Sequence, residues 1–222
     1  MTDYYQIALS LLLKLLENSG YDNWINWITE DVRLWKTEGT TEHHLRAYGG
    51  TGSFNDVVIG DNDEMGLWKG KVFSIVQTLA YSLAENNSKN ILLKENFYEN
   101  EPNEISGWRC RNCGNAIINE RNIDIYLASF FVPKFFVKYL KQGNIEEILN
   151  IEKMINLAEV FQKKQKIKCL VIDNGIDFSL ENNWLWNCPN CNSGEVCSYH
   201  WNISKDDSNL QKADDNLTIN KS

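Results

Sequence analysis

The amino-acid sequence predicts a mostly helical α+β fold in two parts. Apolar residues recur at helical spacing through the first 88 residues. Farther on, helical stripes share the chain with one alternating apolar stretch, "KIKCLVIDNGIDFSL". Two cysteine pairs of identical spacing, in "WRCRNCGN" and "WNCPNCNS", bracket that second part.

From the start of the chain, Asp3 reads as the N-cap of a first helix. Gln6 stands at the capping-box position and Gly20 where the helix should end. Leu9, Leu12, Leu13 and Leu16 share one face. A second helix begins near Tyr21, with Trp24, Ile28, Val32 and Trp35 at helical spacing. A third runs from about Leu67 to Glu85, with Trp68, Val72, Ile75, Val76, Leu79 and Leu83 as its stripe. All three stripes read as core packing. The Asn- and Glu-rich residues 89–106, with Pro102, read as a linker or long connection.

Beyond the linker, Pro133 should start or kink a helix that Gly143 ends. Asn144 should cap the next one, with Glu147 at its capping-box position and Ile148, Ile151, Ile155, Ala158 and Phe161 on its buried face. Asn174-Gly175, flanked by alternating apolar residues, predicts a β-hairpin. That hairpin would place Cys169 as a small buried thiol in its first strand. The polar end lacks periodicity and reads as a disordered tail. The expected organisation is a helical domain over 1–88, the connection 89–106, a second domain over 107–202 and a tail over 203–222.

Composition narrows the function classes. A chain of 222 residues with 43% apolar side chains and eight tryptophans can bury a sizeable core. Its formal net charge of −8 disfavours generic binding to nucleic acid or anionic membrane and suits a basic or neutral partner. Residues 134–168 form a mildly basic middle, with eight lysines against four acids. The apolar start "MTDYYQIALSLLLKLLENSG" lacks the basic region and cleavage site of a signal peptide. No stretch reaches about 18 uninterrupted apolar residues, so no membrane span is expected. A cytoplasmic location is the default expectation, and there cysteines read as metal ligands or core residues rather than disulfides.

Cys110-x-x-Cys113 and Cys188-x-x-Cys191 are each followed by a residue suited to positive φ, Gly114 and Asn192. Such a turn lets two thiolates reach one ion while backbone N–H groups point at the sulfurs. Four thiolates favour Zn²⁺ in a closed tetrahedral site. The two halves resemble the knuckles of a zinc ribbon. The resemblance covers about eight residues at each end, and the 74 residues between Cys113 and Cys188 depart from a compact ribbon's spacing. It implies a ribbon split by a helical and β-hairpin insertion. Such a site is structural, with an apparent binding free energy on the order of 10 kcal/mol. Two other readings stay open. Cys197 and His200 form a further Cys-x-x-His unit, and a Cys-x-x-Cys at a helix N-terminus would be a redox pair.

"AYGGTGSFNDVVI" is glycine-rich but fits no phosphate cradle. No lysine follows Gly52, and Asn55 stands where a dinucleotide fingerprint needs its third glycine. The motif Tyr-Gly-Gly-x-Gly-Ser-Phe-Asn-Asp, over Tyr48–Asp56, resembles an uncharacterised bacterial domain family across roughly residues 5–86. Thr51 stands where that family is expected to carry Met. The resemblance brings no activity. Gly49, Gly50 and Gly52 would let the backbone turn, Ser53 and Asp56 would cap it, and Phe54 and Val57 would plug it into the helices.

His43 and His44 read as surface or capping residues, because neighbours on a helix point in different directions. The lysines of "KKQKIK" read as a solvated helix end. No catalytic motif is legible. The expected function is a non-enzymatic zinc-containing protein-binding module, by analogy a bacterial immunity or defence-associated protein, with an unidentified protein partner. Zinc-ribbon binding to nucleic acid is the alternative. A hydrolase-type enzyme built on His43, His44 and Asp56 is the third reading.

Overall fold

A computed structural model describes residues 3–17, 19–60, 64–86, 103–143, 145–150, 155–180, 187–204 and 206–212. The fold is mixed α/β and mostly helical, with one five-stranded sheet. The chain divides into two compact units, one of Met1–Glu99 with Phe131–Ile155, the other of Asn100–Phe130 with Asn156–Ser222.

The first unit is built on helices α1 (Tyr4–Leu16), α2 (Asp22–Glu38), α3 (Glu42–Leu45) and α4 (Glu64–Glu85). Asp3 caps α1 by accepting from the Gln6 N–H at 3.0 Å, and its other oxygen accepts from Trp35 Nε1 at 2.9 Å. One short carboxylate thus starts α1 and ties it to α2. Helix α1 ends at Leu16, before the expected stop, with Gly20 in the turn that follows at φ +78°. It packs on both α2 and α4, and Leu9, Leu11, Leu12 and Leu16 are fully buried. The α4 stripe expected from spacing is buried in full, from Trp68 to Leu83.

The glycine-rich segment is a turn ending in a 3₁₀ turn over Phe54–Asp56. Gly49, Gly50 and Gly52 all adopt positive φ. Phe54 is wholly buried, its ring 4.9 Å from Trp24 and 5.8 Å from Phe73, and its carbonyl accepts from the Gln77 amide. The Asp56 carboxylate accepts from the Gly52 N–H at 2.6 Å and closes the turn.

The sheet of the second unit has the order β3-β2-β1-β4-β5, with β1 Glu104–Cys110, β2 Ala116–Asn119, β3 Asp177–Ser179, β4 Val196–Ile203 and β5 Leu210–Lys212. Strand β1 pairs antiparallel with β2 and β4, and β4 with β5, while β2 and β3 run parallel. On one face Ile105, Ile118, Tyr199, Trp201 and Ile203 are buried. Gly107 lies among them. A Cβ there would sit 2.5 Å from the Ile117 carbonyl oxygen, 2.8 Å from Ile118 Cγ1 and 2.9 Å from Trp201 Cζ3.

Strand β2 runs directly into α5 (Glu120–Gln142). Asn119 and Asn122 form a reciprocal cap: the Asn122 N–H donates to Asn119 Oδ1 at 2.9 Å and the Asn119 N–H to Asn122 Oδ1 at 3.2 Å. Pro133 lies inside α5 rather than at its start. Among the described residues, the helix expected after Asn144 is divided into α6 (Ile145–Leu149) and α7 (Leu157–Asp173), the latter capped by Asn156. Ile148 and Ile155 are buried as expected, but Ala158 and Phe161 are exposed, because α7 restarts with a different face inward. Ile151 and Asn144 lie outside the described residues.

The hairpin expected at Asn174-Gly175 is not formed. The residues of "KIKCLVID" continue α7, whose buried side is Val160, Ile167, Leu170 and Val171. A short alternating run also satisfies the 3–4 spacing of a helix, and here the longer helical stripe prevails. Asn174-Gly175 closes α7 in a Schellman motif. The Ile176 N–H bonds the Val171 carbonyl at 3.2 Å and the Gly175 N–H the Ile172 carbonyl at 2.9 Å, with Gly175 at φ +69°. Cys169 is therefore an exposed helical residue, not a buried strand thiol. The sheet gains β3 as the parallel partner that a helical crossover permits.

Part of the polar end is ordered. Ser204 and Ser208 hold a turn around Asp206, their hydrogen bonds bringing its carboxyl down to about 2, and β5 follows. Residues 213–222 lie outside the described residues.

Candidate metal centre

Cys110 ends β1, Cys113 sits in the turn to β2, and Cys188 and Cys191 occupy the turn before β4. The four sulfurs all lie within 4.8 Å of one another. Cys110 Sγ is 3.7 Å from Cys191 Sγ, and Cys113 Sγ is 3.6 Å from Cys188 Sγ. All four thiols are free. Sulfurs bound to one zinc ion at about 2.3 Å and tetrahedral angles would be about 3.8 Å apart. The observed pairs fit that spacing and lie well beyond the about 2.0 Å of a disulfide. Four cysteines so arranged could hold a metal ion.

The two turns repeat position for position. The Cys110 N–H bonds the Asn115 carbonyl and the Cys188 N–H the Ser193 carbonyl, both at 2.8 Å. The Gly114 N–H returns to the Cys110 carbonyl at 3.0 Å and the Asn192 N–H to the Cys188 carbonyl at 2.8 Å. Gly114 and Asn192 take positive φ, +77° and +56°, as each turn requires. Asparagine tolerates that region better than other side-chain-bearing residues. In each turn the first cysteine is buried and the second lies at the surface.

The field around the sulfurs is uneven. The Asn115 backbone N–H and the Asn190 amide hold the Cys113 thiol down at about 6. Backbone N–H groups of Cys113 and Asn112 also favour the Cys110 thiolate, but burial and the neighbouring sulfurs outweigh them and push it up to about 11.

Neither cysteine pair opens a helix, as a redox pair would. Cys197 and His200 do not form a second pair. Three residues apart on β4, they point to opposite faces. The Cys197 thiol donates to the Arg109 carbonyl at 3.4 Å, and His200 lies 3.9 Å from Glu104 on the exposed side. Among the described residues, the four cysteines are the one group of three or more whose donor atoms all lie close enough together to share an ion.

A second polar cluster, in the first unit, went unread in the sequence. Asp31 is buried in α2 and both histidines converge on it. His43 Nδ1 lies 2.5 Å from one carboxylate oxygen and His44 Nδ1 2.8 Å from the other. Trp27 stacks on His43 at 4.3 Å, and the Tyr48 hydroxyl reaches His44 Nε2 at 3.1 Å. Burial, reinforced by the Asp31 charge, pushes the Tyr5 and Tyr48 hydroxyls far above the usual phenol range. The surface role expected for His44 is corrected: it is fully buried. Asp56, which the hydrolase reading would place beside the histidines, closes the glycine turn, as its expected capping role has it. A sequence signal for Asp31 existed. It stands three residues after Ile28 and four before Trp35, an acid on the apolar face of an amphipathic helix.

The lysines of α7 are not a solvated fringe. Lys164 lies 2.6 Å from Asp124 and 3.2 Å from Glu120, and Lys168 lies 2.9 Å from Glu120. Lys163 bonds both oxygens of Asp207, at 2.7 and 2.8 Å, with its ammonium 3.9 Å from the centre of the Phe130 ring. Among the described residues no helix is long and apolar enough to cross a membrane.

No curated protein and no solved structure matches the chain. Residues 17–66 match the model of a family described as a domain of unknown function, DUF6966. That segment contains α2, α3, the glycine turn and the Asp31–His43–His44 cluster. Over those residues the chain is similar to an uncharacterised domain family, which supplies no activity to transfer.

Proposed function

We propose that the chain is a non-enzymatic, zinc-containing protein-binding module. The observation that carries the metal half is the convergence of Cys110, Cys113, Cys188 and Cys191 at sulfur spacings suited to one tetrahedral ion. With all four positions taken by thiolates, Zn²⁺ would pin β1 to β4 as in a split zinc ribbon, with no open position to activate water. The partner half is supported by charge. The basic stretch of α7 is largely engaged in ion pairs within its own unit, which leaves a net charge of −8 suited to a basic protein surface, as an immunity or defence-associated protein would meet. The same pairing weighs against the nucleic-acid reading, since lysines held by carboxylates are not free for phosphates.

Metal analysis of the purified chain should give about one zinc per chain. The double variant Cys110→Ser/Cys188→Ser should lose it. Undiminished zinc in that variant contradicts the assignment. A salt-dependent mobility shift with DNA or RNA would move the reading to the alternative.

A further inference from the structure

Both turns carry an asparagine at the same place, Asn112 in Cys-Arg-Asn-Cys and Asn190 in Cys-Pro-Asn-Cys. Each side chain reaches across to the other turn. Asn112 Nδ2 lies 3.6 Å from Cys191 Sγ, and Asn190 Nδ2 lies 3.6 Å from Cys113 Sγ. The pairs are separated by 79 and 77 residues in the chain, so neither contact is a by-product of local turn geometry. The amides select the second cysteine of each turn, the one at the surface, and leave the buried Cys110 and Cys188 to other partners.

We infer that Asn112 and Asn190 are reciprocal latches that govern how long the site keeps its metal. The inference rests on the metal reading above and concerns regulation of that site. Four thiolates around a divalent cation carry a net charge of about −2. At Cys110 and Cys188 burial keeps water and competing ligands away. At Cys113 and Cys191 water, protons and chelators can reach the sulfur, and there each amide supplies a neutral N–H donor that stabilises the thiolate. Because each donor belongs to the opposite turn, it also holds the two turns together while one sulfur is momentarily detached. Partners of this kind are commonly worth ten- to a hundredfold in metal affinity. The asparagines touch no metal, so they are positioning residues.

The test follows Zn²⁺ passing from the full-length, zinc-loaded chain to a chromogenic chelator. Asn112→Ala/Asn190→Ala should release zinc about ten- to a hundredfold faster than wild type. Asn112→Asp/Asn190→Asp should release it at least as fast as the alanine pair. Aspartate keeps the shape and turn preference of asparagine but places a carboxylate against a thiolate. A role in turn shape alone would leave the aspartate variant like wild type, and that result overturns the inference. So does an alanine variant that releases zinc at the wild-type rate. If a double variant fails to fold, Asn112→Ala alone, loaded with Co²⁺, should shift the thiolate-to-metal charge-transfer band. An unshifted band with unchanged release counts against the latch. A wild-type chain that takes up no metal overturns the metal reading and this inference together.

Discussion

In the first unit one carboxylate holds two imidazoles; in the second four thiols face one another. The Asp31 cluster is closed within the protein. Asp31 accepts from His43 and His44, Tyr48 covers His44, and Trp27 covers His43. Large buried rings adjoin it: Tyr5 lies 5.7 Å from His44 and Phe54 lies 5.8 Å from Tyr48. The cysteine cluster is different. Its sulfurs are gathered at ion-binding distance, and as thiolates they repel unless a cation joins them. A self-satisfied polar knot adds to a core that already exists, whereas a set of convergent thiols could take a metal ion from outside. The comparison teaches that buried polar groups in one chain can be there for opposite reasons.

The comparison is broken most strongly at Asp31. Asp31→Ala should leave two imidazole N–H groups without their acceptor, at a cost of about 1–3 kcal/mol for each. Thermal unfolding should report a large loss in stability while zinc content stays at the wild-type value. Loss of zinc in this variant would mean that the two clusters do not act separately.

Gly107→Ala is the matching intrusion in the second unit. The added Cβ meets backbone at Ile117 and side chains of Ile118 and Trp201, so the expected cost is about 1–3 kcal/mol from overpacking. Chemical denaturation followed by the fluorescence of the sheet tryptophans measures it. An unchanged midpoint would show that the sheet yields there.

The smallest expected effect concerns Glu120. Hydrogen bonds from Lys168 and Lys164 hold its carboxyl below the usual glutamate range. Its folded value is depressed, so its contribution is present above the ordinary value of about 4.3 and is lost as pH falls through the depressed value. Partly exposed pairs of this kind contribute about 0–1 kcal/mol. Melting temperatures between pH 7 and pH 3 should therefore fall slightly less steeply for Glu120→Gln than for wild type. Parallel curves would assign the acid sensitivity to other carboxylates.

Legibility in the sequence followed the reach of each interaction. The α4 stripe repeats over several turns and is buried in full, while in α1 Leu13 and in α2 Trp24 and Val32 are only half-buried. The cysteine pairs were legible because a metal turn fixes its own spacing, and two copies announce one another. Asn112 and Asn190 stood in the same position of both copies, and that repetition was the unused signal. Asp31 was harder, because its partners lie 12 and 13 residues away on another helix. Asn174-Gly175 is ambiguous in sequence because the dipeptide that closes a two-residue hairpin also supplies the left-handed residue after a helix.

The central claim is that the second unit depends on a metal ion and the first does not. Amide hydrogen exchange of the full chain, with and without a strong chelator, tests it most directly. Chelation should strip protection from β1 and β4, whose ends carry or adjoin the four cysteines, while α1 and α4 keep theirs. Equal loss in both units, or no loss in β1 and β4, would contradict the account.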